Sequence, residues 1–218
     1  AFLYFQKSAA LGNCDAEYGL GRLYLNEGFE QYDVQKAVEH LAKAAEAGHD
    51  TAQYTLGKLY LEGKAVEKDA PRGLQYLEQA VKEENPFAQY LLGKTLLKGK
   101  DVEADSIRGE QLLAASAAQG NLYAAYILGK AYLDGAKLVQ NISRSLELLG
   151  FVAGQNLSAA QYTLGKLYAE GTVVPKNIPA ALELLTKAAM QGNPYAGYRL
   201  GKLYLAGEDI PKDVPAAL

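Results

Sequence analysis

The sequence predicts an all-α protein, an α-solenoid built from 36-residue helix–turn–helix units. Three observations carry this. Glycines at 21, 57, 93, 129, 165 and 201 recur every 36 residues without a slip, and each follows a leucine. The segment AQYTLGKLYLEG at 52–63 returns as AQYTLGKLYAEG at 160–171, with looser versions starting at Ala16, Ala88, Ala124 and Ala196. The register also holds far from that motif: Asp33, Asp69, Asp105, Asn141, Asn177 and Asp213 form one column, and Leu41, Leu77, Leu113, Leu149 and Leu185 another. A fixed period of this length is the mark of a repeat architecture, in which no unit buries its apolar side alone.

The first helix of each unit is predicted from Ala52, Leu56, Leu59 and Tyr60, which fall on one apolar stripe. Asn85-Pro86 and Asn193-Pro194 mark its start, a capping residue followed by proline where no N–H is needed. Gly63, Gly99, Gly135, Gly171 and Gly207 mark its end in a left-handed cap. The Asp/Asn column then caps the second helix, with Pro71, Pro179 and Pro215 in its first turn. Gly48, Gly120 and Gly192 close that helix, Asn156 suits the same conformation, and Glu84 predicts a distorted turn. The mid-helix glycines, each costing about 1 kcal/mol against alanine, predict close packing on small second-helix residues: Ala37, Gly73, Gly109, Ser145 and Ala181.

The units run 13–48, 49–84, 85–120, 121–156 and 157–192, preceded by the second helix of another unit at 1–12 and followed by a partial one at 193–218. Neither end carries a polar cap, so the sequence reads as one solenoid domain excised from a larger protein. Its composition, 49% hydrophobic with a net charge of −3, supports a large core and argues against a generally basic nucleic-acid binder. No window reaches the roughly 18 apolar residues of a membrane span, so membrane insertion is not expected. The single Cys14 excludes an internal disulfide and points to a reducing, cytoplasmic setting. Periplasmic or secreted placement stays open because the sequence begins at alanine.

One face of the first helix remains. With Tyr54 at zero on a helical wheel, Lys58 falls near ~40° and Leu61 near ~−20°, while Leu56 lies near ~200°. Tyr18, Tyr54, Tyr90, Tyr126, Tyr162 and Tyr198 therefore form a column beside Arg22, Lys58, Lys94, Lys130, Lys166 and Lys202. Leu25, Leu61, Leu97, Leu133 and Leu205 run alongside, interrupted by Ala169. As a ligand ladder, this face suits an extended acidic peptide or a C-terminal carboxylate, since phenols supply contact area and lysines attract anions. As plain structure, tyrosine and leucine pack between neighbouring first helices. The lysines then stay in solvent, partly neutralised by Glu62, Asp134 and Glu170 four residues on.

Catalytic chemistry is not expected. LLGKTL at 91–96 ends like a phosphate loop, but the motif's first glycine would fall on Ala88, and the segment lies within a helix. His40 and His49 have no ligand partners at metal-binding spacing; His40 reads as a packing or surface residue and His49 as a turn residue. TLGK at 55–58 and 163–166 is explained by the period, and no cofactor is implied.

The pattern A-x-x-x-L-G-x-x-Y-x-x-G, a loop, then D-x-x-x-A-x-x-x-L-x-x-A-A-x-x-G resembles the Sel1-like repeat, a relative of the tetratricopeptide repeat. The resemblance covers essentially the whole sequence. It implies a right-handed superhelix whose first helices line the concave face, and a non-catalytic role as a protein–protein adaptor or scaffold. It also places the Tyr–Lys ladder on that concave face. The paired cysteines of the exported branch are absent. LGKLYLAGEDIPKD and AAMQGNPYAGYRLGKLYL look like repeat tails of bacterial plasmid-mobilisation relaxases, which implies, as the second option, an accessory interaction domain of a DNA-processing protein that associates with nucleic acid.

Overall fold

The structure, a computed structural model, describes residues 1–207; Asp213 and Pro215, and with them the next second helix, lie outside the described residues. Twelve α-helices follow one another among the described residues. They are α1 (Phe2–Ala9), α2 (Cys14–Tyr24), α3 (Val34–Glu46), α4 (Asp50–Glu62), α5 (Ala70–Lys82), α6 (Pro86–Lys98), α7 (Ser106–Ala118), α8 (Leu122–Asp134), α9 (Ile142–Gly154), α10 (Ser158–Glu170), α11 (Ile178–Met190) and α12 (Pro194–Ala206). They fall into two compact units, one over residues 1–121 and one from Leu122 onward. In the first unit α2 pairs with α3, α4 with α5 and α6 with α7, and α1 packs on α2. In the second, α8 pairs with α9 and α10 with α11, and α12 packs on α11. The protein is an all-α repeat solenoid.

The helix boundaries follow from capping chemistry. Asp33, Asp69, Asp105, Asn141 and Asn177 each accept the backbone N–H three residues on, supplying one of the acceptors that a helix start lacks. Each of these residues also donates its own N–H back to the end of the preceding helix, as from Asp69 to Tyr60 O at 3.0 Å and from Asn177 to Tyr168 O at 2.9 Å. Both ends of the loop are thereby tied by one residue. Asn85 and Asn193 cap α6 and α12 with proline behind them. His49 goes beyond a turn role: its Nδ1 accepts the Ala52 N–H at 3.3 Å and caps α4.

Glu84 overturns the expectation of a distorted turn. Its φ is 56°, left-handed like Asn156 at 66° and Gly48 at 87°. Its turn also keeps the same hydrogen bonds, Glu84 N–H to Val81 O and Asn85 N–H to Ala80 O, both 3.0 Å. Tertiary contacts fix this conformation on a residue that resists it. Asn85 is buried and donates to Asp50 Oδ2 at 2.7 Å, while Gln119 donates to Glu84 O at 3.0 Å. The local cost of the left-handed state is about 1–2 kcal/mol.

The seam inside each pair is a notch and a plug. A side-chain carbon on Gly57 would stand 2.7 Å from Leu77 Cγ and 3.0 Å from Gly73 O. Leu41, Leu149 and Leu185 fill the corresponding notches at Gly21, Gly129 and Gly165, while Gly93 faces Gly109 O and Leu113. Ala37, Gly73 and Gly109 therefore let the backbones approach, at Gly129 and Gly165 the nearest neighbours are leucines, and the leucine column occupies the notch. Leu41, Leu77, Leu113, Leu149 and Leu185 are all fully buried, each stabilising its unit by roughly 1.5–3 kcal/mol through apolar burial.

Candidate functional site

The ladder residues lie on first helices, Leu25 at the C-terminal cap of α2, and each unit presents its own row. In the first unit, Tyr18, Tyr54 and Tyr90 are half-buried on α2, α4 and α6. Burial pushes the Tyr54 phenol above its ordinary value, and Glu62, Tyr90 and Tyr18 add to the effect. Tyr54 therefore keeps its proton well past neutrality. Its ring packs on Phe87 of the next first helix, centroids 5.9 Å apart, and Tyr18 packs on His49 at 4.5 Å. In the second unit Tyr162 meets Tyr195 at 5.9 Å, and the Tyr126 hydroxyl lies 3.4 Å from Thr163 Oγ1. Tyr198 stands 71% exposed on α12.

The basic column does several things. Arg22 lies over the Tyr18 ring at 5.9 Å and Lys94 over the Tyr90 ring at 5.4 Å, the geometry of weak cation–π attraction. Lys94 also donates to Tyr90 Oη at 3.3 Å. Lys58 and Lys166 are exposed and lean toward Glu62 and Glu170, each 4.0 Å away. Glu170 is shared, because Arg199 on α12 also pairs with it. Lys130 is half-buried and Lys202 exposed. The leucines divide as well. Leu97 is only 5% exposed and abuts Gly109, and Leu61 abuts Gly73, so both serve the seam. Leu133 is half-buried.

Two concavities of the first unit are lined by ladder residues. One, about 660 Å³, takes in Tyr18, Arg22, Leu25, Phe5 and Thr55. The other, about 270 Å³, takes in Leu61, Leu91, Lys94, Lys98 and Asp101. The first sets Arg22 and Asp15 among apolar walls, and the second sets Lys94, Lys98 and Lys100 against Glu62 and Asp101, so the second in particular suits an anionic side chain attached to an apolar stem. Sequence reading missed Phe87 and Tyr195, although their positions, 33 residues beyond Tyr54 and Tyr162, carry the same offset. It also missed His49 as a packing partner.

The residues that mimic reactive motifs are engaged within the helices. Thr95 of the Gly-Lys-Thr segment donates to Leu91 O within α6, and Thr55 and Thr163 likewise donate to Thr51 O and Ala159 O. His40 bonds Glu17 through Nδ1 at 2.5 Å and stacks on Tyr24. Among the described residues no cluster of three or more histidine, cysteine or acidic side chains is arranged to hold a metal. No described helix is long and apolar enough to cross a membrane.

Comparison with known proteins agrees with this architecture. The chain is similar over 99% of its length to a protective antigen of uropathogenic Escherichia coli displaying an SLR fold (29% identity, TM-score 0.85), and spans 46% of that protein. It is also similar to a Sel1 repeat protein from Oxalobacter formigenes, at 27% identity and TM-score 0.87, covering 99% of this chain and 88% of that one. An immunity protein from Pseudomonas aeruginosa matches 94% of the chain and 75% of its own, at 25% identity and TM-score 0.55. No curated protein matches the sequence. Sel1 repeat proteins act generally as non-catalytic protein-interaction scaffolds. The Sel1 repeat signature matches residues 1–13, 14–49, 50–85, 86–121, 122–150, 158–193 and 194–218, and the chain belongs to the Sel1 repeat family.

Proposed function

We propose that this chain is a scaffold that binds an extended acidic peptide along the first-helix face of its repeats. The observation that carries the reading is the pair of concavities in the first unit, where Tyr18 and Arg22 line one and Leu61 and Lys94 the other. Aromatic rings and leucine give contact area at low entropic cost, while Arg22, Lys58 and Lys94 attract carboxylates. Half-buried tyrosines held by neighbouring rings are preorganised, which lowers the ordering cost of binding.

The test uses a fluorescent peptide of alternating acidic and apolar residues, titrated by anisotropy at several salt concentrations. The joint change Arg22→Ala, Lys58→Ala and Lys94→Ala is expected to weaken binding about tenfold, or 1.4 kcal/mol, and to flatten its salt dependence. Unchanged affinity with an intact helical spectrum would show that the lysines only solvate the face. Tighter binding of single-stranded DNA than of the peptide, lost steeply with salt, would replace this reading with nucleic-acid association.

A further inference from the structure

A buried glutamine recurs on the first helices, and one of its copies is left incomplete. Gln53, Gln89 and Gln161 occupy the same repeat position and are 6%, 6% and 2% exposed. Gln53 and Gln161 donate Nε2–H to the preceding helix, at Ala45 O (3.1 Å) and Ala153 O (3.2 Å). The carbonyl oxygen at the other side of each amide needs a donor, because a buried acceptor without one loses its hydration uncompensated. Gln119 supplies that donor to Gln89 Oε1 at 2.9 Å, and Gln191 supplies it to Gln161 Oε1 at 2.8 Å. Both donors stand at the end of the second helix, thirty residues beyond the glutamine they serve.

The residue in that place for Gln53 is Glu83. An ionised carboxylate accepts hydrogen bonds and has none to give. Gln53 Oε1 accordingly is buried with no hydrogen-bond partner. The donating amide of Gln119 also bonds Glu84 O at 3.0 Å, and the residue equivalent to Glu84 in the earlier repeat is Gly48. Gly48 and Gln53 line one cavity of about 370 Å³, together with Glu46, Arg72, Tyr76 and Gln79. One wall is rigid: Tyr76 stacks on Tyr60, and Arg72 lies 4.5 Å over the Tyr60 ring.

We propose that this cavity binds a primary carboxamide, the side chain of a partner's glutamine or asparagine or free glutamine itself. The amide N–H donates to Gln53 Oε1, as Gln119 and Gln191 do within the chain, and its carbonyl oxygen accepts from Arg72 or Gln79. A carboxylate of the same shape is rejected, because it has no hydrogen for Gln53 and meets Glu46. The site lies between second helices and one first-helix floor, so it stands or falls apart from the ladder.

The experiment is a titration followed by amide NMR with N-acetyl-glutamine methylamide and, separately, free L-glutamine, N-acetyl-glutamate methylamide and N-acetyl-lysine methylamide. Saturable shifts of the Gln53 side-chain NH₂ and the Gly48 N–H are expected with glutamine and not with glutamate. Response to the blocked compound assigns a partner side chain; response to the free amino acid alone assigns a metabolite. Glu83→Gln places the chain's own amide in the site and is expected to weaken binding at least tenfold while the helical spectrum stays unchanged. The triple variant Arg22→Ala, Lys58→Ala, Lys94→Ala is expected to bind as the parent does. No shift with either glutamine probe, an equal response to glutamate or to the lysine analogue, or undiminished binding by Glu83→Gln would overturn the proposal.

Discussion

Gly57 on α4 and Gly150 on α9 are both interior helix residues, and their surroundings are opposite. A side-chain carbon at Gly57 would strike Leu77 at 2.7 Å, whereas one at Gly150 would meet nothing within 4 Å. The intrinsic helix penalty is the same, about 1 kcal/mol. At Gly57 it is offset by a leucine seated in the notch and a partner backbone at contact distance. At Gly150 no neighbour among the described residues offsets it. The columns differ in the same way: Gly57 recurs in every unit, while the positions matching Gly150 are Ala42, Glu78, Ala114 and Thr186. Recurrence in register, more than residue type, is what marks a glycine as part of the packing.

The largest way to break the seam is from its leucine side. Leu77→Ala is expected to cost about 2–5 kcal/mol in urea denaturation, because the notch becomes a cavity; a loss below 1 kcal/mol would mean the notch closes without it. Filling from the glycine side gives a graded effect. Gly57→Ala is expected to cost about 1–3 kcal/mol through overpacking, and Gly129→Ala distinctly less, since its nearest neighbour stands at 3.1 Å. The reverse order would remove the notch as the explanation. Gly150→Ala tests the other region and is expected to stabilise by about 0.5–1 kcal/mol, read as a higher urea midpoint. Smallest is the effect of acid at Asp33. Its cap bond from the Lys36 N–H, opposed by slight desolvation and aided by the Lys36 charge, holds its carboxyl below the usual value of 3.8. A lowered folded value means stability that is present above the unfolded value and lost as pH falls through the folded one. Asp33→Asn keeps the cap and is expected to flatten the acid limb of the midpoint-against-pH curve slightly; an unaltered limb would assign it to other carboxylates.

Most of the fold was legible because its causes are local or strictly periodic. Asn85-Pro86, the Asp33 column and Gly63 each act within a few residues of themselves, so sequence spacing alone announces them. Glu84 was misread because the left-handed turn there is imposed by Asn85 and Gln119, contacts that no local preference encodes. The candidate face was legible as a set of columns, and its chemistry only in part. Tyr54 on Phe87 and Tyr162 on Tyr195 join residues 33 apart, an offset that becomes visible only once successive helices are laid side by side. Leu97 was placed with the ladder because a helical wheel gives direction without distance, and a neighbour as small as Gly109 draws that edge of the helix inward. The glutamine set escaped for another reason: glutamine is ordinarily a surface residue, and the partner that completes Gln89 or Gln161 lies thirty positions on.

The backbone tie from each second-helix cap to the end of its first helix, Asp69 to Tyr60 and its counterparts, has a genetic corollary. The bond begins and ends inside one unit, so excising or duplicating 36 codons in frame rejoins equivalent chemistry at the cut. Recombination between near-identical segments such as 52–63 and 160–171 can thus lengthen or shorten the array in whole steps, while a deletion of any other size breaks the repeat in which it falls.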